Sequence, residues 1–350
     1  MEISTRKLMS VLTLFGLSNI VYAQAPPTQG EIDQYVAGMA SDFNQYMDNY
    51  MDPFLQGLGY GFNNGWYNTA RPHKSLGFDL TISANLALVP TASQSFKFIP
   101  ENYKVLDLAD ANSDVLPTVM GGKTTTEIRS VFDKTDPNSP YVTFPVLDGI
   151  KDDLPTKLVA VPSPIVQIGV GIVKGTELKV RWIPTVSGID GLDYNYWGLG
   201  VMHSISQWIP VVKDLPFLDI SGFIGYTNVG LSYTLPEGTI DGSDQMAEFG
   251  VKTFNYQLVA SAKASVITGF IGIGYDNFKT NLAMKGTYDF EVPGTGQTSQ
   301  LENPVDLDAK GGGFRATVGA RLKIAILTLH GSYTLQGYNT INAGIGFSFR

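Results

Sequence analysis

The chain has 350 residues, a formal net charge of −8 and an isoelectric point near 4.9, so it lacks the basic footprint of nucleic-acid-binding proteins. It has no cysteine, which excludes a lipid-modified N-terminal cysteine, a disulfide scaffold and thiol chemistry. Charged residues make up only 16% of the chain, whereas its 38 glycines, 17 tyrosines and 19 phenylalanines are high counts for a soluble protein of this length.

Residues 1–23 have the organisation of a secretory signal peptide. Arg6 and Lys7 precede an apolar run over residues 8–21, and Ala23 ends a site of small or apolar residues that a signal peptidase reads. Cleavage after Ala23 is favoured over cleavage after Ala25, because the second cut would leave a proline at the new terminus. An uncleaved anchor is the alternative, but the run is shorter than the about 20 residues of a transmembrane helix.

Residues 24–75 are predicted to form an amphipathic helix and a plug segment. Aromatic, methionine and aliphatic residues recur at spacings of three and four from Ile32 to Met51, with acidic residues such as Asp42 largely off that stripe. Pro53 is expected to end or kink the helix. The stretch Gly57–Tyr67 is rich in glycine and aromatic residues, and it is expected to be an irregular, packed coil.

Residues 76–350 are predicted to form β-strands, because apolar side chains alternate there with small or polar ones. Phe78–Leu88 and Ile341–Phe349 show the alternation most clearly, over about the 9 to 11 residues that a tilted membrane strand requires. The other strand candidates share the same alternation and are Ile165–Ile172, Glu177–Pro184, Asp193–Val201, Leu218–Tyr233, Val251–Ala264, Ile267–Phe290, Phe314–Lys323 and Leu327–Gln336.

This pattern predicts an all-β fold, a closed antiparallel transmembrane β-barrel of about 10 to 14 strands preceded by the helix and plug. A tight turn is expected at Lys174-Gly175. Barrels of this kind have short periplasmic turns and longer external loops, so both ends of the mature chain are expected in the periplasm. The polar stretch Thr91–Leu158 leaves two possibilities open. It is either an external loop or supplies a further pair of barrel strands, Ser95–Leu108 and Thr124–Phe132, that extend beyond the membrane.

Two strands change the parity of their apolar residues along their length. The changes fall at Thr227-Asn228 and at Asp276-Asn277. A β-bulge at each position is favoured over a turn, because a bulge preserves the even strand count.

Enzymatic chemistry finds little support in the sequence. The three histidines, His73, His203 and His330, are scattered, and none has a metal-ligand spacing to an acidic residue or to another histidine. His330 has the inward parity, but no serine is marked as its partner, and no Gly-x-Ser-x-Gly motif occurs. The sequence therefore predicts no catalytic residues, no metal and no cofactor.

Several charged residues share the inward parity of the predicted barrel. Two interpretations stay open for them, a salt-bridged filling of a small barrel or the lining of a polar conduit that holds a plug. These residues are Asp79, Glu177, Lys179, Arg181, Lys263, Arg315, Arg321 and Lys323.

The N-terminal segment offers a candidate ligand site if it enters the barrel as a hatch. Aromatic residues would then form an apolar pocket, and basic residues nearby would meet an acid group. The alternative places the helix on the periplasmic rim or on the inner leaflet. The predicted ligand-binding residues are Phe62, Trp66, Tyr67, Arg71, His73, Lys179 and Arg181.

Three motifs carry a resemblance to a known family: Asn63–Lys74, the following Gly77–Leu80, and Gln207–Pro210 with Leu215–Phe217. They resemble uncharacterised outer-membrane β-barrel proteins of Bacteroidota that form a domain family of unknown function. The resemblance covers nearly all of the mature chain and implies no particular site residues. The layout, a helical hatch before a barrel of long-looped strands, is similar to FadL-type transporters of long-chain fatty acids and aromatic hydrocarbons, although this chain is shorter.

These observations predict a protein of the Gram-negative outer membrane with its N-terminus in the periplasm. It would contact outer-membrane lipids and pass or bind a small hydrophobic or amphipathic molecule. The alternative is a structural or interaction barrel of the envelope, with external loops as docking surfaces and no transport. Nucleic acid is not expected as a partner.

Overall fold

The computed structural model describes residues 28–189, 191–236, 241–292 and 297–349, so the predicted signal peptide lies outside the described residues. The described chain is mostly β, with two α-helices, α1 (Gln29–Phe62) and α2 (Pro210–Lys213). Its strands are β1 (Phe78–Leu88), β2 (Ser95–Lys97), β3 (Leu106–Leu108), β4 (Val115–Pro117), β5 (Glu127–Val131), β6 (Tyr141–Pro145), β7 (Ala160–Gly171), β8 (Thr176–Ile189), β9 (Leu192–Ser204), β10 (Leu218–Thr234), β11 (Gly242–Ala264), β12 (Ile267–Val292), β13 (Gln297–Glu302), β14 (Val305–Ile324), β15 (Leu327–Leu335) and β16 (Thr340–Phe349).

One large antiparallel sheet, nearly closed into a ring, dominates the fold. Strand β1 pairs with β16 on one side and with β7 on the other. From β7 the order continues through β8, β9, β10, β11, β12, β14 and β15 to β16, while β13 pairs with the far end of β12. The prediction of an antiparallel all-β fold is therefore confirmed, and the ten strands that follow one another in this order match the lower end of the predicted range.

The polarity of the two faces of the ring is the reverse of that in most water-soluble sheets. Along β1, Ile82 on the outer face is 55% exposed, whereas its neighbours Thr81 and Ser83 are buried. The outer face is thus apolar and the inner face polar. In most soluble sheets, the apolar face is the one that is covered.

Three tight turns lie at one end of the ring, here called the short-turn end. The turn at Lys174-Gly175 joins β7 to β8 with φ of 55° and 68°, which confirms the predicted tight turn. Ser265 and Ala325 adopt a similar left-handed conformation, with φ of 56° and 53°, between β11 and β12 and between β14 and β15. The opposite end, here called the long-loop end, carries the connection from β1 to β7.

The connection from β1 to β7 folds into two small sheets and adds no strand to the ring. Strand β2 pairs with β4, and β5 pairs with β3 and β6. The interpretation of Ser95–Leu108 and Thr124–Phe132 as further barrel strands is therefore wrong. The reason is length, since these strands have 3 to 5 residues and a membrane strand needs about 9 to 11.

Helix α1 starts where its sequence provides a cap and continues further than predicted. Thr28 and Glu31 form a capping box, in which the Glu31 amide donates to Thr28 Oγ1 at 3.4 Å and the Thr28 amide donates to Glu31 Oε2 at 2.7 Å. The helix then passes through Pro53 and ends at Phe62. The helix end expected at Pro53 is therefore wrong, while a kink there stays a prediction. The coil expected over Gly57–Tyr67 is wrong as far as Phe62 and confirmed from Asn63 onward.

Packing explains why the glycine-rich half of α1 stays helical. A Cβ atom at Gly57 would lie 2.4 Å from Val161 Cγ2, and one at Gly59 would lie 2.1 Å from Phe278 Cδ2. The glycines therefore let the helix backbone lie against the wall of the ring. Tertiary contacts outweigh the about 1 kcal/mol that each glycine costs a helix.

Helix α1 lies at the long-loop end and points into the ring. Asp42, which is 1% exposed, accepts hydrogen bonds from the amides of Lys104, Val105 and Leu106 at 2.7 to 2.9 Å. Asp42 is thus buried although it lies off the apolar stripe, because the long connection covers it. These bonds fasten the helix to the long connection. Among the described residues, no helix has the length and apolar character needed to cross a membrane.

The described N-terminal end therefore lies at the long-loop end of the ring, whereas β16 ends at the short-turn end. Asn44 Oδ1 accepts from the amide of Asp306 at the long-loop end of β14, at 2.8 Å. Ser348, near the end of β16, accepts from Lys323 beside a short turn, at 2.9 Å. For the described residues, the prediction that both ends of the chain share one side is wrong, because the chain passes through the ring before β1 begins.

The predicted bulges are absent at both parity changes in the described strands. The pairing of β10 is continuous through Thr227-Asn228, and the pairing of β12 is continuous through Asp276-Asn277. Beyond these points the apolar residues face inward and pack on α1, as Val229 does beside Phe62. The parity changes because the interior becomes apolar near the helix, not because the strand is interrupted.

We expect Gly59→Ala to destabilise the protein by about 1 to 3 kcal/mol, because the added methyl group would overlap the buried Phe278 ring. Gly30→Ala is the matched control, since nothing lies within 4 Å of a Cβ atom there. Urea titrations of the purified variants in detergent would measure both changes in the free energy of unfolding. Equal values for the two variants would contradict the close packing of α1.

Candidate functional site

The interior of the ring is filled by the segment between α1 and β1, residues 63–76, here called the plug. It enters beside Asn255, whose Nδ2 donates to the Asn63 carbonyl at 3.2 Å. Halfway down, Ser221 Oγ donates to the Ala70 carbonyl at 2.5 Å. At the short-turn end, the plug amide of Leu76 donates to the carbonyl of Gly171 at 2.9 Å. The chain therefore crosses the whole ring from the long-loop end to the short-turn end.

Arg181 of β8 caps the C-terminal end of α1 from the wall. Its Nη1 donates to the Phe62 carbonyl at 2.8 Å, and its Nη2 donates to the Asn64 carbonyl at 2.5 Å. Its guanidinium carbon also lies 3.5 Å from the centre of the Trp66 ring. The last turn of α1 has no basic residue of its own, so the wall supplies the positive charge that a helix C-terminus favours.

Arg315 of β14 reaches the same helix end. Its Nη1 donates to the Asn63 carbonyl at 3.1 Å and to Asp276 Oδ2 at 3.3 Å, and its Nη2 donates to the side-chain oxygen of Asn64. Arg315 is 2% exposed and Asp276 is 1% exposed. Because charge-assisted hydrogen bonds are strong in a dry interior, the two arginines hold the upper end of the plug in place.

Trp66 fits the wall because two glycines leave room for its indole. A Cβ atom at Gly200 or Gly225 would lie 2.9 or 2.8 Å from indole atoms. The Trp66 ring packs against Phe223, with ring centres 5.4 Å apart.

Tyr67 makes the corresponding contact on the other side of the plug. Its hydroxyl donates to Gln257 Oε1 at 2.6 Å, and a Cβ atom at Gly272 would lie 2.0 Å from that hydroxyl oxygen. Its ring packs edge to face with Phe270, with centres 5.9 Å apart. Aromatic plug residues and wall glycines therefore set the depth of the plug together.

A buried ionic network surrounds the lower plug. Glu177 Oε2 accepts from the His73 amide at 2.8 Å and lies 3.0 Å from His73 Nδ1, while its Oε1 accepts from Lys179. Asp79 Oδ1 lies 3.6 Å from His73 Nδ1, and Asp79 Oδ2 accepts from Thr81 at 2.8 Å. Strands β1 and β8 and the plug thus contribute to one cluster, which the scattered sequence positions did not reveal.

His73, Asp79 and Glu177 also form a possible metal-ligand set, because one ligand atom from each lies within 4.8 Å of the others. The ammonium group of Lys179, however, binds the free oxygen of Glu177. The protein's own cations thus compete for these carboxylates, and the arrangement suits an ion-paired anchor for the plug better than a metal centre.

The predicted ligand-binding residues all lie at the boundary between plug and wall. Phe62 packs with Tyr196, Trp66 and Tyr67 pack with Phe223, and Arg71 Nε donates to Asp219 at 2.8 Å. The ring contacts join different apolar clusters, so the aromatic residues do not enclose one shared pocket. Ligand binding at these residues stays a prediction.

Arg315, Asp276 and Asn64 complete the site and were not singled out as binding residues. One signal was available, since Arg315 interrupts an apolar strand with the inward parity. A second signal was the parity change at Asp276, because this residue lies at the level of the ring where α1 ends and the plug begins. The pairing of these two residues across β12 and β14 required the register of the sheet.

A groove of about 690 Å³ lies on the outer, apolar face, away from the plug. Outward-facing side chains of β10, β11 and β12 form most of its walls. They include Ile224, Tyr256, Leu258, Ile273 and Tyr275.

We expect Arg315→Gln to cost roughly 3 to 5 kcal/mol, because it leaves the buried Asp276 carboxylate without its cation. Arg71→Gln is the matched control and should cost about 0 to 1 kcal/mol, since its ion pair with Asp219 is partly exposed. Chemical unfolding followed by tryptophan fluorescence would measure both. An equally small cost for Arg315→Gln and Arg71→Gln would show that the ion pair between Arg315 and Asp276 does not stabilise the fold.

Comparison with solved structures gives outer-membrane β-barrels at low similarity. The translocator domain of the autotransporter NalP from Neisseria meningitidis has a TM-score of 0.29 and 10% identity, covering 91% of this chain and 98% of that chain. Ail, the attachment invasion locus protein of Yersinia pestis, has a TM-score of 0.25 and 10% identity over 53% of this chain and 97% of its own. The toluene transporter TodX of P. putida has a TM-score of 0.20 and 9% identity, covering 78% and 90%.

Sequence comparisons give a clearer result. Curated proteins provide no match. A model of a family of unknown function, DUF6588, matches residues 5–349. The expected resemblance to a family of unknown function is thereby confirmed, while its assignment to Bacteroidota stays a prediction. Because the match spans nearly all of the sequence, the chain belongs to the DUF6588 family.

Proposed function

We propose that this protein is a closed β-barrel of the Gram-negative outer membrane that binds and conducts small hydrophobic or amphipathic molecules, with the plug controlling passage. The observation that carries the proposal is the combination of an apolar outer face with an irregular, hydrogen-bonded segment across the interior. The short turns face the periplasm, as is usual for such barrels. The signal peptide, residues 1–23, is removed on export.

The outer face supports the membrane location. Water-soluble proteins rarely expose contiguous apolar surface larger than a few hundred Å², whereas lipid favours it. Apolar outward residues occur on neighbouring strands around the ring. Examples that are 44 to 58% exposed are Ile82, Ile168, Leu199, Ile224, Ile271, Val318, Leu329 and Ile345.

The plug supports passage of a ligand. It has no helix or strand of its own, and much of its attachment is through hydrogen bonds to wall side chains such as Gln167, Ser221 and Ser261. Water or a ligand can replace such bonds, so local opening costs less than unfolding a strand. Movement of the plug exposes Trp66 and Phe223 next to cationic groups, which suits an amphipathic molecule.

A structural or interaction barrel is the second candidate, and the folded region at the long-loop end favours it. Tyr35 of α1 stacks on Phe132 with ring centres 4.9 Å apart, and the Tyr50 hydroxyl donates to the Asp148 carbonyl at 2.8 Å. Burial raises the pKa of Tyr50, so the phenol stays neutral and remains a donor. This ordered region would present a defined docking surface.

The proposed orientation also revises the placement of the N-terminal end. With the short turns in the periplasm, Thr28 and the first half of α1 lie on the cell-surface side. The earlier expectation of a periplasmic N-terminus does not fit this path of the chain. Threading through the ring during assembly would bring the segment there.

We expect Leu329→Arg to destabilise the barrel by roughly 1 to 3 kcal/mol, because Leu329 faces lipid two residues inward from the start of β15. Ile324→Arg, next to a short turn, is the matched control and should cost about 0 to 1 kcal/mol. Unfolding titrations in lipid vesicles would measure the two. Thr328 is unsuitable as a control, because it faces inward and is only 2% exposed, so arginine would not fit there.

A disulfide between plug and wall tests transport directly. Thr69 Oγ1 and Ser261 Oγ lie 3.3 Å apart, so cysteines at these positions are placed to bridge, and the chain has no other cysteine. We expect oxidation to block uptake of a small aromatic hydrocarbon such as toluene into liposomes containing the protein, and reduction to restore it. Flux would be measured in both states.

The control pair is Thr69→Cys with Ala262→Cys, because Ala262 faces outward and should not bridge. Uptake that is equal in the bridged and reduced protein would show that the plug does not need to move. Absence of uptake in every variant, with no conductance in planar bilayers, would favour the interaction barrel.

A further inference from the structure

Among the described residues, two cations near the short-turn end of the interior have no carboxylate partner within 4.0 Å. Lys179 pairs with Glu177, and Arg315 pairs with Asp276. Within the described ranges, no carboxylate oxygen lies within 4.0 Å of the charged groups of Arg321. The same holds there for Lys323.

Both cations converge on a single hydroxyl group. Lys323 Nζ lies 2.9 Å from Ser348 Oγ, and Arg321 Nη2 lies 3.4 Å from the same atom. His73 Nε2 lies 3.0 Å from it on the plug side. A hydroxyl oxygen has two lone pairs and no charge, so it is a weak acceptor for an ammonium and a guanidinium together.

Unpaired nitrogen atoms beside this hydroxyl point to a further acceptor. Arg321 Nε and His330 Nδ1 are buried and have no hydrogen-bond partner in the part of the chain that the structure describes. His330 is only 8% exposed and is paired in register with Arg321 across β14 and β15. Arg321 Nε always carries a hydrogen, whereas Nδ1 of a neutral histidine can be an acceptor. The buried Arg321 donor without an acceptor is costly and favours an anion.

The charges around the two cations leave an excess of positive charge. Lys179, Arg321, Lys323 and Lys263, which neighbours Arg321 through Thr268, contribute four positive charges, and Asp79 and Glu177 contribute two negative charges. The excess favours an anion. A carboxylate is the anion that matches the planar fork of a guanidinium and that an amphipathic molecule can carry as its head group.

We propose that Arg321, Lys323 and Ser348 form a binding site for one carboxylate group at the periplasmic mouth of the barrel. The inference rests on the proposed function and deepens it, because the carboxylate would be the head group of the amphipathic molecule. Arg71, His73, Lys179 and Arg181, which the sequence marked for an acid group, are engaged by the protein itself. The free cations lie on β14 instead.

Equilibrium dialysis of the purified protein in detergent, with radiolabelled octanoate as the probe, tests the site. We expect saturable binding of octanoate. Arg321→Gln and Lys323→Gln should each weaken it by about tenfold or more, as loss of a hydrogen bond to a charged group does. Lys252→Gln, at an outward-facing position in the middle of β11, is the matched control and should leave binding unchanged.

Two further ligands separate the possible outcomes. Octanol should bind at least about tenfold more weakly than octanoate, and inorganic phosphate should not compete. Equal binding of octanoate by wild type, Arg321→Gln and Lys323→Gln would overturn the carboxylate site and leave the proposed function standing. Efficient competition by phosphate would also overturn the carboxylate assignment.

Absence of binding for both octanoate and octanol would contradict the proposed function together with the site. Heat-modifiable migration on gels checks that each variant is folded. Lys323 is half-buried beside a turn, so Lys323→Gln keeps the test valid if Arg321→Gln fails to fold.

Discussion

The structure depends on the contact between two wall guanidinium groups and the C-terminal end of α1. Arg181 and Arg315 carry charge into a dry interior, which is costly without acceptors. The last carbonyl groups of α1 need donors, which the helix itself does not provide. The guanidinium groups donate to these carbonyl groups, so each satisfies the hydrogen-bonding requirement of the other. The ring therefore needs the helix end at this level, and the helix end needs the ring.

Steric fit fixes the remaining degrees of freedom. A small ring of strands encloses little more than its own side chains, so a further chain enters only where the wall is lined by small residues. Glycines on the wall accept Trp66 and Tyr67, and glycines on α1 accept Phe278 and Val161. Side chains of the plug thus project into the wall, and side chains of the wall project toward α1. Depth and rotation of the plug follow from this complementarity.

The sequence predicted the elements that depend on local alternation, and it failed where tertiary contacts decide. The outward strands and the turn at Lys174-Gly175 followed from side-chain parity and turn chemistry. The helical glycines of α1 and the parity change at Asp276 were misread, because both reflect packing between helix and wall. The ion pair between Arg315 and Asp276 joins neighbouring strands far apart in sequence, so only the sheet register reveals it.

The two ends of the plug are fixed, and this limits how it can move. At the upper end, Asp42 fastens α1 to the long connection through three amides. At the lower end, the chain continues into β1, and the amide of Gly171 donates to the Gly77 carbonyl at 2.8 Å. A segment held at both ends cannot leave the ring as a body. Passage of a ligand therefore requires local rearrangement of residues 63–76, in which side-chain hydrogen bonds break while α1 and β1 stay in place.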